Sequence, residues 1–206
     1  MRSESIAFGI AGVVFGLIAG WVIGAQQAAS RVPTAATQVT TATGSSTPAA
    51  PAATVLDESK VQALKAVADR ERSKAEPRAQ LGDLYFDAER YDEAISWYSE
   101  ALKLAPGDVN VNTDLGVCYY YTNQPDKALE QFDRALKLDP KHTKTLLNVG
   151  VVKAFGKQDL EGASKAWQQV MQIAPDSPEG QAAKRALDSL ASAHPGMVTP
   201  SQRPGA

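Results

Sequence analysis

Between residues 75 and 177, apolar side chains recur at spacings of three and four, as in helices with one buried face. Leu81, Leu84 and Tyr85 form one such stripe. Ala94, Tyr98, Ala101 and Leu102 form a second, beyond the polar pair Glu89-Arg90. The pattern predicts two short amphipathic helices joined by a tight turn, and it then repeats. Leu81-Gly82-x-x-Tyr85, Ala94-x-x-x-Tyr98-x-x-Ala101 and Pro106 return 34 residues later as Leu115-Gly116-x-x-Tyr119, Ala128-x-x-x-Phe132-x-x-Ala135 and Pro140, with Asn123-Gln124 at the turn. A third copy reads Val149-Gly150-x-x-Lys153, Ala163-x-x-x-Trp167-x-x-Val170 and Pro175, with one extra residue before Ala163. Gly82, Gly116 and Gly150 are expected where the partner helix's backbone crosses closely, and Tyr85, Tyr98, Tyr119, Phe132 and Trp167 to fill the volume that remains. Pro106, Pro140 and Pro175 end the second helix of each pair, because proline lacks the N–H and clashes with the preceding turn. One hairpin cannot bury its apolar face alone, whereas three stacked hairpins share a continuous core.

This period, with its placement of large, small and proline positions, resembles the tetratricopeptide repeat (TPR) family. The resemblance covers about half of the chain. It implies an all-α solenoid of three helix-turn-helix repeats, at residues 75–108, 109–142 and 143–177, with flanking helices. It also implies a concave groove, lined by the first helix of each repeat, that holds an extended peptide or a partner helix. Carried over position by position, the groove would hold Ala79, Asp83, Phe86 and Asp87 from the first copy and Asn110, Thr113, Val117, Tyr120 and Tyr121 from the second. Lys144, Leu147, Val151, Ala154 and Phe155 would come from the third. Tyr119 takes the core position, which leaves Tyr120 and Tyr121 turned toward the groove. Some members of the family bind a C-terminal carboxylate through a basic and Asn clamp. Here the corresponding places carry Ala79, Asp83 and Asp114, with Lys144 the one basic residue, so the clamp is not expected. The groove reads as aromatic with an acidic end.

On either side of the repeats lie candidate packing helices. Residues 57–74 place Val61, Leu64 and Ala68 on one face, suited to the open N-terminal side of the first repeat. Ser177-Pro178-Glu179 is a helix start with a cap, a proline at the first position and an acid in the first turn. In the helix expected at 178–192, Ala183, Leu187, Leu190 and Ala191 are apolar, while Gln181, Lys184, Arg185 and Asp188 stay wet. It would cap the stack. Residues 193–206 read as a disordered tail.

The N-terminal quarter is different material. Residues 6–25 are uncharged and rich in Ile, Val, Phe and Gly, long enough to span a hydrocarbon core as a helix. A cleaved signal peptide is the competing reading. Its apolar region is usually about 7–15 residues and precedes an A-x-A-like site, whereas Ile23-Gly24-Ala25 is a poor one. Gly12, Gly16, Gly20 and Gly24 recur every fourth residue, a groove through which membrane helices pair, with a second copy or with another protein. Glycine is also simply common in such helices. Residues 26–54, mostly Ala, Thr, Ser, Gln and Pro, read as a disordered tether. Arg2 before the span, with only Arg31 soon after it, leans toward a cytoplasmic N-terminus and an exported repeat domain, periplasmic or extracellular.

Composition changes this picture little. A chain of 206 residues with net charge −2 holds one modest domain and has no general attraction to nucleic acid. Cys118, the single cysteine, reads as a small buried thiol. His142 and His194 have no second ligand at metal spacing, and no nucleophile, phosphate-loop or dinucleotide motif is present. No cofactor, metal site or catalysis is therefore expected. What remains is surface: a membrane-tethered, non-catalytic adaptor, with a structural oligomer or a cytoplasm-facing adaptor as the competing readings.

Overall fold

The computed structural model describes residues 55–194. The expected span at 6–25 with Gly12, Gly16, Gly20 and Gly24, the tether at 26–54 and the tail beyond residue 194 lie outside the described residues. Among those described there are α-helices and no strand, and no helix is long and apolar enough to cross a membrane.

Helix α1 (Glu58–Arg70) starts at Asp57, whose carboxylate accepts the Lys60 N–H at 3.0 Å. It buries Val61 and Ala68 and packs against α2 (Glu76–Asp87). It ends four residues earlier than the charge pattern suggested, because Arg78 collects backbone carbonyls across the junction. Its guanidinium donates to Lys74 O at 2.8 Å and Ala68 O at 3.2 Å. Ala68 O is one of the acceptors that a helix end leaves unmatched, and Lys74 O lies in the link between the helices.

Three hairpins follow. The first pairs α2 with α3 (Tyr91–Leu104), and the second pairs α4 (Val109–Tyr121) with α5 (Pro125–Leu138). In the third, α6 (Thr143–Val151) runs into a π turn (Val152–Gly156) and then pairs with α7 (Leu160–Ile173). Helix α8 (Pro178–Ala193) closes the stack on α7 and α6. Its buried face runs through Ala182, Ala183 and Ala186, with Leu187 and Leu190 half-buried. Ala183 is buried as expected, while Ala182 and Ala186 join it and Leu187, Leu190 and Ala191 lie at the margin of that face. Helix α4 also touches α6 directly, so the first helices of the second and third repeats lie side by side.

Inside each hairpin a glycine of the first helix faces a ring of the second. A Cβ added at Gly82 would overlap the Tyr98 ring, one at Gly116 the Phe132 ring, and one at Gly150 the Trp167 ring. The crossing is therefore closed by an aromatic side chain. The backbone expected there comes next: Ala128 O would lie 3.1 Å from a Cβ at Gly116. The three rings are nearly sealed, at 1% (Tyr98), 0% (Phe132) and 2% (Trp167) exposure. Each such burial is worth about 1.5–3 kcal/mol.

The hairpin turns share one device. Glu89, Asn123 and Gln158 take left-handed φ values of 57°, 59° and 56°. In the first two turns the next N–H reaches back five positions, Arg90 N to Tyr85 O and Gln124 N to Tyr119 O, both at 2.8 Å. Meanwhile Glu89 N and Asn123 N reach Phe86 O and Tyr120 O. This is the Schellman closure of a helix end. In the third turn Lys157 N bonds Val152 O at 3.0 Å and Asp159 N bonds Lys153 O at 2.8 Å, one residue wider. The π turn is where the extra residue of the third copy is absorbed.

The glycine contacts predict a contrast. Gly116→Ala should lower stability by about 1–3 kcal/mol through overpacking. Gly107→Ala, with nothing within 4 Å of its Cβ, should leave the melting midpoint nearly unchanged. Circular dichroism melts of the two variants check this. Equal midpoints would remove the ring-on-glycine contact from the account.

Candidate functional site

The inner face is built by α2, α4 and α6 together with the ends of the hairpin turns. Asp83, Asp87 and Asn110 are exposed there, and Ala79, Phe86, Val117, Tyr120, Tyr121, Lys144 and Phe155 are half-buried. Four residues expected on the groove are instead in the core. Thr113 and Leu147 are 0% exposed, and Val151 and Ala154 are both 7% exposed. The cause is packing between repeats. Thr113 Oγ1 donates to Val109 O at 2.8 Å and lies 2.6 Å from Thr145 Oγ1, which in turn lies 2.6 Å from His142 Nδ1. Because the Thr113 proton goes to a carbonyl, Thr145 donates to Thr113 and His142 Nδ1–H donates to Thr145. This chain of hydroxyls seals the seam between the second and third repeats. Leu147 O accepts the indole N–H of Trp167 at 3.2 Å.

Aromatic rings connect the repeats on the accessible side. Phe86 meets Tyr91 edge-on with centroids 5.7 Å apart. Tyr91 stacks on Tyr121 at 4.5 Å with planes 6° apart, and Tyr121 meets Tyr120 at 6.1 Å. Tyr120 packs further on the Ala128, Phe132 and Val152 cluster. Both tyrosines are thus wedged across repeat boundaries while still presenting part of each ring to solvent. Desolvation raises the Tyr121 hydroxyl to about 12, so it stays a neutral donor. Tyr119 is half-buried beneath the Lys127 ammonium, 5.4 Å above its ring.

Carboxylates border these rings. Asp83 accepts the Tyr98 hydroxyl at 2.8 Å, a link between core ring and inner face that the repeat pattern did not reveal. Burial holds the Asp83 carboxyl above the usual carboxylate range. The Tyr98 bond opposes this, Asp114 and Asp87 add to it, and Lys144 opposes it. Asp87 is also raised by desolvation, offset by Lys60 and reinforced by Asp114. Both side chains are exposed to solvent at one edge while protein packs against them on the other. Lys144, the one basic residue expected here, is tied to Asp114 at 2.7 Å, each side chain 19% exposed.

Elsewhere, Cys118 is fully buried and desolvation drives its thiol well above the usual range, so it remains a packed, protonated group. Among the described residues no cluster of three His, Cys, Asp or Glu is placed to hold a metal ion. The large apolar residues exposed among them, Val55, Leu104, Leu138 and Ile173, do not belong to the inner-face ring array.

Comparisons with known proteins fit this geometry. Two family models, each described as tetratricopeptide repeat, match residues 73–141 and 113–178. No curated protein matches the sequence. Among solved structures, the chain is similar to the first TPR of Spaghetti (RPAP3), bound there to the HSP90 peptide SRMEEVD. That pair shares 26% identity over 60% of this chain and 94% of the other, with a TM-score of 0.54. It is similar in fold to MamA, at 19% identity, 65% and 81% coverage and a TM-score of 0.55. The Arabidopsis OM64 TPR domain, at 18% identity, 57% and 94% coverage and a TM-score of 0.53, likewise shares the fold.

The raised carboxyls carry a pH consequence. A folded-state pKa above the unfolded value means that the folded chain holds protons the unfolded chain has lost. Stability from such a group therefore falls as pH rises through the window and is recovered on acidification toward its ordinary value of 3.8. Asp83→Asn keeps an oxygen for the Tyr98 hydroxyl and removes the charge, so the variant should melt higher than the parent near pH 7. That gap should close as pH falls toward 4. Melts across pH check it. A variant less stable at pH 7 would show that the charged Asp83–Tyr98 bond outweighs desolvation.

Proposed function

We propose that this chain, whose residues 73–178 are tetratricopeptide repeats, is a non-catalytic adaptor. Its inner face holds a peptide or helix of a partner protein, and residues 6–25 tether it to a membrane. The observation that carries the reading is the run of half-buried rings from Phe86 through Tyr91 and Tyr121 to Tyr120. Large apolar rings with polar tips, held in place by stacking, offer contact area at little further ordering cost. The Spaghetti (RPAP3) domain bound to a peptide supports the use of such a repeat stack for peptide capture.

The tether rests on the sequence: an uncharged stretch at 6–25, an Ala/Thr/Pro-rich stretch at 26–54, and the Arg2 bias toward an exported repeat domain. The row Gly12, Gly16, Gly20 and Gly24 favours pairing of the anchor, so the adaptor is proposed to act as a homodimer. By analogy of layout alone, assembly of envelope or cytochrome c complexes is the process proposed.

Two measurements test this. Tyr121→Ala should weaken capture of the native partner by about 1–4 kcal/mol. It should cost far less stability than Tyr98→Ala, whose loss from the core is expected at about 3–5 kcal/mol. A Tyr121→Ala chain that keeps its partner with unchanged affinity would remove the inner face as the binding surface. For topology, a reporter active only outside the cytoplasm, fused after Ala206, should give signal. Silence there, with a working cytoplasmic reporter, would make this a cytoplasm-facing adaptor.

A further inference from the structure

We infer that the aromatic array is one docking strip continued into the third repeat by the π turn, and that its occupant is a peptide segment carrying apolar side chains and at least one basic side chain. The inference rests on the inner-face reading above.

The register comes from the left-handed turn residues. Three positions before Glu89, Asn123 and Gln158 stand Phe86, Tyr120 and Phe155. By a plain count of 34 residues, Ala154 would take the third place, and Ala154 is buried in the core. The extra residue absorbed between Val152 and Gly156 shifts the end of the helix by one position. Half-buried Phe155 therefore becomes the counterpart of Phe86 and Tyr120. The strip reaches the π turn physically, because a Cβ at Gly156 would lie 3.1 Å from Tyr120 Cε2. An occupant with several apolar side chains can thus engage all three repeats.

Charge complementarity selects the rest of the occupant. Asp83 lies one helical turn before Phe86, and Asp87 directly follows it. Both carboxylates are exposed on the inner face, where a cation can reach them, and Asp83 is positioned there by the Tyr98 hydroxyl. Of the basic groups that act on them, Lys144 is already engaged by Asp114, and Lys60 offsets only Asp87. An acidic peptide like the one in the Spaghetti (RPAP3) complex would meet carboxylates here. A lysine or arginine would find both carboxylates and ring faces. The domain makes the second kind of contact internally, with Arg90 4.9 Å from the Tyr85 ring centroid and Lys127 above Tyr119.

The test uses the purified full chain and an array of amidated ten-residue peptides randomised over apolar, basic and acidic residues. The free acid SRMEEVD is included as a separate probe. Retained peptides should pair large apolar residues with Lys or Arg and bind more weakly as salt rises. They should lose about tenfold in affinity to Asp83→Asn combined with Asp87→Asn. Phe155→Ala should cost a similar factor, and Phe155→Tyr should restore it. Selection of acidic peptides, or binding indifferent to the Asp variants, would overturn the charge assignment, while Tyr121→Ala still decides the inner-face reading independently. Peptides retained equally by Phe155→Ala would end the strip at the second repeat and overturn its continuation. No retention of any peptide by the parent chain would overturn the inference as a whole.

Discussion

The fold depends on rings seated where side chains are missing. Gly82, Gly116 and Gly150 leave a gap on the first helix of each repeat, and Tyr98, Phe132 and Trp167 occupy it so closely that a methyl group would not fit. That contact fixes how the two helices of a hairpin cross, and with it the face the first helix turns inward. The polar tips of the rings then meet partners suited to each repeat. Tyr98 donates to Asp83, Trp167 donates to Leu147 O, and Phe132, with no donor, is paired at the position equivalent to Asp83 with Val117. In the first repeat the ring thus couples core to inner face, whereas in the third the Trp167 donor is satisfied within the core, as buried donors require.

Helix termination is the second constraint. None of the three left-handed turn residues is glycine, although that conformation favours it. Glu89, Asn123 and Gln158 are held there by backbone closure onto the end of the preceding helix. The third turn accommodates its extra residue by widening the hydrogen-bond ring. A one-residue insertion that would break a heptad therefore passes here with the hairpin intact, at the cost of a local π geometry that re-aims Phe155.

Much of this was legible in the sequence. The period placed the helices and the proline breaks and singled out the glycines and the rings, because each is a property of a single hairpin; it set the glycines against backbone, and the rings that meet them emerged only from the structure. The burial of Thr113, Leu147, Val151 and Ala154 was not legible. A residue's own helical phase says which way it points and not how near the next repeat stands, and here the seam between repeats closes over those positions. Asp83 read as a solvated groove acid, and its bond to Tyr98 spans two helices that no short motif connects. On α8 Ala183 was placed correctly, and Ala182 and Ala186 were missed because they carried less apolar weight than Leu187 and Leu190, although small residues are what close packing on α7 admits. The extra residue was visible before Ala163, but its π geometry and its effect on Phe155 required the turn itself.

The central claim is that partners are held on the inner face fixed by those ring-on-glycine contacts. The most direct measurement places a photocrosslinking side chain, one position at a time, around the repeat stack of the full chain in its native cells. Inner-face positions such as Asp87, Asn110 and Val117 would be compared with outward positions on the second helices, such as Lys103, Asp133 and Gln169. The account predicts that adducts with another protein form at the inner positions and not at the outer ones. Adducts concentrated at Lys103, Asp133 and Gln169, with the inner positions silent, would contradict it.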